Sequence, residues 1–292
     1  MTALVAIRTH RWGPDAARLH AQLAPVLGDR LVTAFHGTPP ADLPLAAVAL
    51  DDAWLSANGL RGPADWGWRC GDYFLYALRP ACPGVDHYWL IEPDVLFTGD
   101  PAGFFAATEA LAQDVLGVRV GPMRADHRFS RGLPGMAHHR AIFALVRFSG
   151  RAIDRLFALR QAYAAGPTGP RFFANNDEVF CFSHALADPD LTVGSLADLV
   201  PDWFADDAVQ TDPDILDETL AGRSRPGVFH PVRSRDSFRG ALAARLAGNT
   251  GFLRAMAPSL ALQSEDDLAA IARDVARESL AALRAARPHP PA

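Results

Sequence analysis

Two carboxylates stand where a buried strand would end. The apolar run Tyr88-Trp-Leu-Ile91 leads straight into Glu92-Pro93-Asp94. Four apolar residues carry a chain through a sheet interior, and open α/β sheets present ligands beyond the carboxyl ends of their strands. Residues i and i+2 of an extended segment project the same way. Glu92 and Asp94 therefore share a side, and carboxylate oxygens suit a hard divalent cation, Mn²⁺ or Mg²⁺. Pro93 fixes its own φ, biases Glu92 towards extended backbone and cannot donate to a sheet, which fits a strand that stops there. The competing reading is that both acids solvate a strand end. A second cluster, Asn175-Asn176-Asp177-Glu178, follows Phe172-Phe173. Asn175 or Asn176 suits a helix N-cap, and the two acids suit its first turn. Trp66 and Trp68 flank a glycine; aromatic faces line sugar sites, and core packing is the alternative for at least one of them. Arg147 is either paired in the core or turned towards a ligand.

These residues need a frame. Ala3–Ile7 reads as a buried first strand, Pro14–Leu27 as a helix with Leu19, Leu23, Val26 and Leu27 on one face, and Leu31–Phe35 and Ala46–Leu50 as further strands. Strand, helix, strand, loop, strand opens a parallel, helix-covered sheet. Helices are predicted over residues 66–80, 104–111, 151–164 and 175–186, and strands over 115–120, 141–148, 191–196 and 228–230, with 198–227 as a long loop. Ser264 is a plausible N-cap for a helix reaching Arg287, with Leu268, Ile271, Val275 and Leu283 as a partial apolar stripe. That helix is read as packing on the domain; a dimer or membrane-surface role is the alternative. The Pro-rich tail from Pro288 is read as frayed.

Composition narrows the chemistry. The chain has 292 residues, 49% hydrophobic and 21% charged, enough to bury a core. A net charge of −5 argues against a general nucleic-acid binder. All 28 basic residues are arginine, which removes Schiff-base and P-loop lysine chemistry and leaves phosphate to arginine, backbone amides or a metal. Cys70, Cys82 and Cys181 have no Cys-x-x-Cys spacing, and so sparse a set suits a reducing compartment. No run approaches a membrane span and the amino-terminal apolar stretch is too short for a signal peptide, so a cytoplasmic location is expected.

The segment Trp66-Gly-Trp-Arg-Cys-Gly-Asp-Tyr73, followed by Tyr88-Trp-Leu-Ile-Glu-Pro-Asp-Val95, resembles the nucleotide-sugar-dependent glycosyltransferases of the GT-A fold. In that superfamily a hydrophobic strand leads into an Asp-x-Asp or Glu-x-Asp motif holding a divalent metal on the diphosphate of a sugar nucleotide. Glu92-Pro93-Asp94 is similar to the Glu-x-Asp variant, with proline where a small or acidic residue is more usual. The likeness covers the order of elements over residues 3–232. It implies an α/β fold with an open, mostly parallel, Rossmann-like sheet flanked by helices, in a catalytic domain over 1–262, with a C-terminal helix and tail over 263–292.

The resemblance also implies roles. His230, ending Val228-Phe-His, is similar to a late histidine that completes the metal site; His138-His139 is the rival pair. Asp177 or Glu178 is similar to the base that takes the acceptor hydroxyl's proton. Thr9, His10, Asp51, Asp52, Arg69, Asp72 and Trp68 fall where nucleotide-sugar contacts are made. The partners implied are a nucleoside diphosphate sugar donor and a glycan, lipid-linked or small-molecule acceptor, with peripheral membrane association allowed and nucleic acid not expected. A sugar nucleotidyltransferase is one alternative, although Arg8-Thr-His-Arg-Trp-Gly-Pro lacks the glycine run of that class. A non-catalytic binding or assembly domain of the same fold is the other.

Overall fold

The computed structural model describes residues 2–130, 133, 135–166, 176–206, 208–247 and 264–285. The chain divides into two units, Met1–Phe238 and Arg239–Ala292. From the amino end, β1 (Ala3–Thr9) leads through α1 (Pro14–Leu27) to β2 (Leu31–His36) and β3 (Ala47–Leu50). Helices α2 (Asp52–Ala57), α3 (Trp66–Arg69) and α4 (Asp72–Ala81) follow, then β4 (His87–Ile91), β5 (Leu96–Thr98), α5 (Pro101–Glu109) and β6 (Val115–Pro122). The rest comprises β7 (His139–Ser149), α6 (Gly150–Ala165), α7 (Asp177–Ala187), β8 (Val193–Ser195), α8 (Leu196–Leu199), β9 (Ile215–Leu216), β10 (Gly227–Phe229), β11 (Val232–Arg233), α9 (Arg235–Ala247) and α10 (Glu265–Ala285).

The central sheet has seven strands in the order β3-β2-β1-β4-β7-β6-β8. Only β7 runs against its neighbours, so the β4–β7 and β6–β7 pairs are antiparallel and the other pairs parallel. The α/β class and the mostly parallel sheet expected from the sequence are what the chain forms. Strand alternation explains the two cores. Leu4 and Ala6 of β1, with Tyr88 and Leu90 of β4, join α4, α6 and α7 on one face. Val5 and Ile7, with Trp89 and Ile91, meet α1 and α5 on the other. Side chains of period two, buried on both faces, are the signature of a helix-covered sheet. Register then sets the site: Ala3 pairs with His87 and Ile7 with Ile91, so the β1–β4 ladder ends there and Arg8 emerges beside Glu92.

Two expectations are corrected. The helix predicted over 66–80 is broken between α3 and α4, at Cys70 and Gly71. Cys70 carries the break, at φ −121° and ψ 58°, while Gly71 keeps helical backbone; a Cβ on Gly71 would lie 2.0 Å from Arg8 Nη1 and 2.6 Å from Asp177 Oδ2. The break frees the Gly71 amide to donate to Asp177 Oδ2 at 2.7 Å. The predicted 198–227 loop holds short structure, including one-turn helices at Pro201–Trp203 and Asp217–Leu220 and strand β9, which pairs with β11. Helix α9 had no sequence-based expectation. In the second unit Ser264 does cap α10, its Oγ accepting from the Asp267 amide at 3.2 Å. The side chains of Ile271, Val275 and Leu283, and the tail from Pro288, lie outside the described residues.

Asp114 ties three elements together ahead of β6. It accepts from Ser149 Oγ (2.8 Å), Arg151 Nε (2.6 Å), and the Thr192 amide and hydroxyl (3.0 and 2.9 Å). Burial alone would raise its carboxyl pKa, but Arg151, Thr192 and Ser149 outweigh burial and hold it below the usual range. A depressed folded pKa contributes stability that is present above the unfolded value and is lost as pH falls through the folded one. Asp114→Asn is therefore expected to cost ~2 kcal/mol at pH 7 in urea unfolding. The gap to the parent protein should narrow as pH drops below about 4. A gap that is constant with pH would show that the charge of Asp114 does not contribute.

Candidate metal centre and cleft

Strand β4 ends at Ile91, and the Glu92 amide extends its ladder by donating to the Ala144 carbonyl at 2.8 Å. The chain turns at Pro93, closed by Val95 N–H to Glu92 O at 3.1 Å, and enters β5. β5 pairs antiparallel with β10, Leu96 opposite Phe229, which delivers His230 to the turn. The Val232 amide donates to the Asp94 carbonyl at 2.7 Å and locks the two segments together. Backbone pairing thus unites residues that lie far apart in sequence.

Glu92, Asp94 and His230 each offer a ligand atom within 4.8 Å of the others, the one such group of three among the described residues. Each carboxylate divides its oxygens. Glu92 Oε1 faces Arg8 Nη1 at 3.3 Å, while Oε2 faces His230 Nε2 at 3.3 Å. Asp94 Oδ2 faces Arg233 Nη2 at 3.1 Å, while Oδ1 faces His230 Nε2 at 3.5 Å. His230 Nδ1 lies 2.7 Å from the Gln210 carbonyl, an acceptor only, so Nδ1 carries hydrogen and Nε2 has the lone pair in the neutral ring. The Gln210 amide in turn donates to the His230 carbonyl at 2.9 Å.

The charges are strongly coupled. Burial raises the Glu92 pKa, but Arg8, then His230 and Arg233, outweigh burial and hold it at about 2. Burial and the neighbouring Glu92 charge push Asp94 up against the pull of His230 and Arg233. Burial favours neutral His230, yet the Glu92 hydrogen bond and the Asp94 charge win and raise its pKa. Two carboxylate oxygens and an imidazole nitrogen thus converge on a point that needs positive charge. That donor set fits Mn²⁺, and Mg²⁺ less selectively.

A cleft of about 430 Å³ opens beside the trio, lined by Arg8, Thr9, His10, His36, Trp68 and Phe74 among others. Arg8 is its organiser. Its Nη2 donates to the carbonyls of Gly67 (3.1 Å) and Trp68 (2.9 Å), and its Nη1 lies 3.5 Å from Asp177 Oδ2. Thr9 closes a local turn, its hydroxyl donating to the Arg11 carbonyl at 2.7 Å.

The acids at the start of α7 separate by burial. Asn176 is the N-cap, its Oδ1 accepting from the Val179 amide at 3.2 Å; Asn175, Phe172 and Phe173 lie outside the described residues. Asp177 is buried and accepts from the amides of Gly71 (2.7 Å) and Glu178 (2.8 Å). Glu178 is half-buried, and burial raises its carboxyl pKa, with the Glu92 charge adding to the rise.

Four residues expected at the nucleotide are engaged elsewhere. Asp72 is fully buried and paired with Arg160, 2.7 Å from Nε, because its position on α4 faces the core. Asp51 caps α2, accepting from the Trp54 amide at 2.8 Å. Asp52 accepts from Trp66 Nε1 at 2.7 Å, which seats Trp66 in the core. Arg69 pairs with Asp65 one turn away, at 2.8 Å. Arg147 donates to the carbonyls of Thr108, in the last turn of α5, and of Leu111 and Gln113 just beyond it. His138 Nε2 lies 2.8 Å from the Leu133 carbonyl, and among the described residues His138 belongs to no cluster of three possible ligands.

Sequence reasoning missed Arg8, Arg233 and Gln210. An arginine ending the apolar run of β1 was a usable signal for the first. Gln210 acts through its backbone, which residue type cannot announce.

No family model and no curated protein matches this sequence. Among solved structures the chain is similar to one from Bacillus anthracis presented as a glucose-1-phosphate thymidylyltransferase in complex with sucrose. Identity there is 9% and the TM-score 0.39, over 67% of this chain and 86% of the other. It is also similar to apo mouse xyloside xylosyltransferase 1, at 10% identity and a TM-score of 0.37, over 67% of this chain and 84% of the other. No helix among the described residues is long and apolar enough to cross a membrane.

Proposed function

We propose that the chain is a metal-dependent glycosyltransferase, moving a sugar from a nucleoside diphosphate sugar to an acceptor hydroxyl. The observation that carries this reading is the convergence of Glu92 Oε2, Asp94 Oδ1 and His230 Nε2 at the carboxyl end of β4. Mn²⁺ or Mg²⁺ held by these residues would supply electrostatic stabilisation of the departing diphosphate. Arg8 and Arg233 fix which oxygen each carboxylate presents, in a chain with no lysine. Thr9, His10 and His36 wall the side of the cleft beside β1 and β2, where the nucleoside would lie. Glu178, more open than Asp177 and of raised pKa, is the better base for the acceptor hydroxyl if configuration inverts. Asp177 acts by holding Arg8 and the Gly71 amide. Three free cysteines support a reducing, cytoplasmic setting.

A thermal-shift screen of UDP, GDP, CMP and their common sugars, with and without Mn²⁺, tests the reading. At about 100 times Kd, a bound nucleotide adds ~2.7 kcal/mol and raises Tm by about 5 °C. One nucleotide should do so, and only with Mn²⁺. Binding with no metal dependence and no turnover would make the chain a binding domain. Pyrophosphate release from a nucleoside triphosphate would make it a nucleotidyltransferase.

A further inference from the structure

We propose that the acceptor is itself a sugar, received on the open face of Trp68. The inference rests on the glycosyltransferase reading above and names that site's second substrate.

Trp68 is 61% exposed, whereas Trp66 two residues earlier is 3% exposed. An exposed indole is ordinary where the backbone is slack, but this backbone is clamped. Arg8 holds the carbonyls of Gly67 and Trp68 from below. Gly67 sits against His36 so closely that a Cβ would lie 2.2 Å from Nδ1. Trp66 is pinned on the His36 ring, centroids 4.3 Å apart, and through Nε1 to Asp52. Trp68 thus projects from a fixed turn into solvent at the cleft wall.

Its position relates it to the trio. The one guanidinium of Arg8 contacts both the Trp68 carbonyl and Glu92 Oε1. Trp68 shares the cleft with Thr9, His10 and His36, and its indole also reaches the other side of β4. The indole meets Phe129 edge-on, centroids 6.5 Å apart at 63°, and Phe129 belongs to the segment between β6 and β7. Thr9 and His10 stand at the end of β1, across β4 in the sheet. Phe129 is itself buried, with the Arg128 guanidinium 4.5 Å from its ring centroid, so the contact braces an indole that stays 61% exposed.

A lone, rigid aromatic face suits a pyranose. The C–H side of the ring packs on the indole while its hydroxyls stay hydrated or meet polar groups, and little conformational entropy is lost. A peptide or acyl chain would instead need a continuous apolar groove, and among the described residues Trp68 is the only large hydrophobic side chain of the cleft lining that is strongly exposed.

The test is calorimetric titration of the full chain with Mn²⁺ and saturating UDP, or whichever nucleotide the thermal screen selects. The probes are the methyl pyranosides of glucose, galactose, mannose and N-acetylglucosamine, together with lactose. At least one should bind. Trp68→Ala should weaken that binding about tenfold or more and Trp68→Phe by about threefold or less, since the latter keeps a face. The proposal is overturned if no glycoside binds to protein that does bind nucleotide with Mn²⁺. It is equally overturned if Trp68→Ala weakens the nucleotide as much as the glycoside, because the base then occupies the indole. Glycoside binding in a protein that binds no nucleotide would leave the sugar site standing and sink the glycosyltransferase reading instead.

Discussion

Asp94→Asn should lower Mn²⁺ affinity by at least about 100-fold and abolish metal-dependent turnover, with the fold retained. The substitution is nearly isosteric, so the effect isolates charge. Asp94 Oδ1 is one of the three atoms that converge on the site, and an amide there supplies a weaker, neutral donor. Its structural bond, from the Val232 amide to the Asp94 backbone carbonyl, is untouched. Arg233 loses one partner but keeps Asp214, 2.6 Å from its Nε, so the substitution strands no buried cation. Electron paramagnetic resonance of free Mn²⁺ reads the affinity directly, without a known substrate. Affinity within twofold of the parent would remove Asp94 from the metal site and with it the main support for the proposed reaction.

Asp72→Ala should cost about 3–5 kcal/mol of stability. Asp72 and Arg160 form a buried ion pair with side chains 1% and 6% exposed, joined at 2.7 and 3.2 Å, and Tyr76 donates its hydroxyl to Asp72 at 2.8 Å. The Arg160 guanidinium also lies 3.6 Å from the Phe180 ring centroid, so the pair links α4, α6 and α7 under the sheet. Removing the carboxylate takes from buried Arg160 the anion that faces it at 2.7 Å. Asp72→Asn, which keeps acceptors but not charge, should lose less. Urea unfolding of both variants measures the difference. Near-parent stability together with lost nucleotide binding would return Asp72 to the nucleotide site.

The sequence by itself was enough for much of the frame. Burial on both faces of β1 and β4, the Pro14 start of α1 and the acidic first turn of α7 are local signals, and each produced the expected element. Glu92 and Asp94 were legible as an acidic pair after an apolar run, with a solvated strand end as the other reading; the structure brings them together by the turn at Pro93, closed by Val95 N–H to Glu92 O, where the sequence suggested an extended run.

Tertiary structure decided the rest. Periodicity carried a helix straight through Cys70 and Gly71, since the groups that meet the chain there, Arg8 on the carbonyls of Gly67 and Trp68 and Asp177 on the Gly71 amide, come from β1 and α7. It decided that Asp72, Asp51, Asp52 and Arg69 would be used for packing, capping and local pairing, because a carboxylate or guanidinium looks the same in sequence whether it meets a ligand or another side chain. It brought His230 to Asp94 through β5 and β10, and set the imidazole tautomer through the carbonyl of Gln210. Local propensity is written in neighbouring residues, whereas a site assembled from strand ends depends on register between strands, which no single stretch of sequence contains.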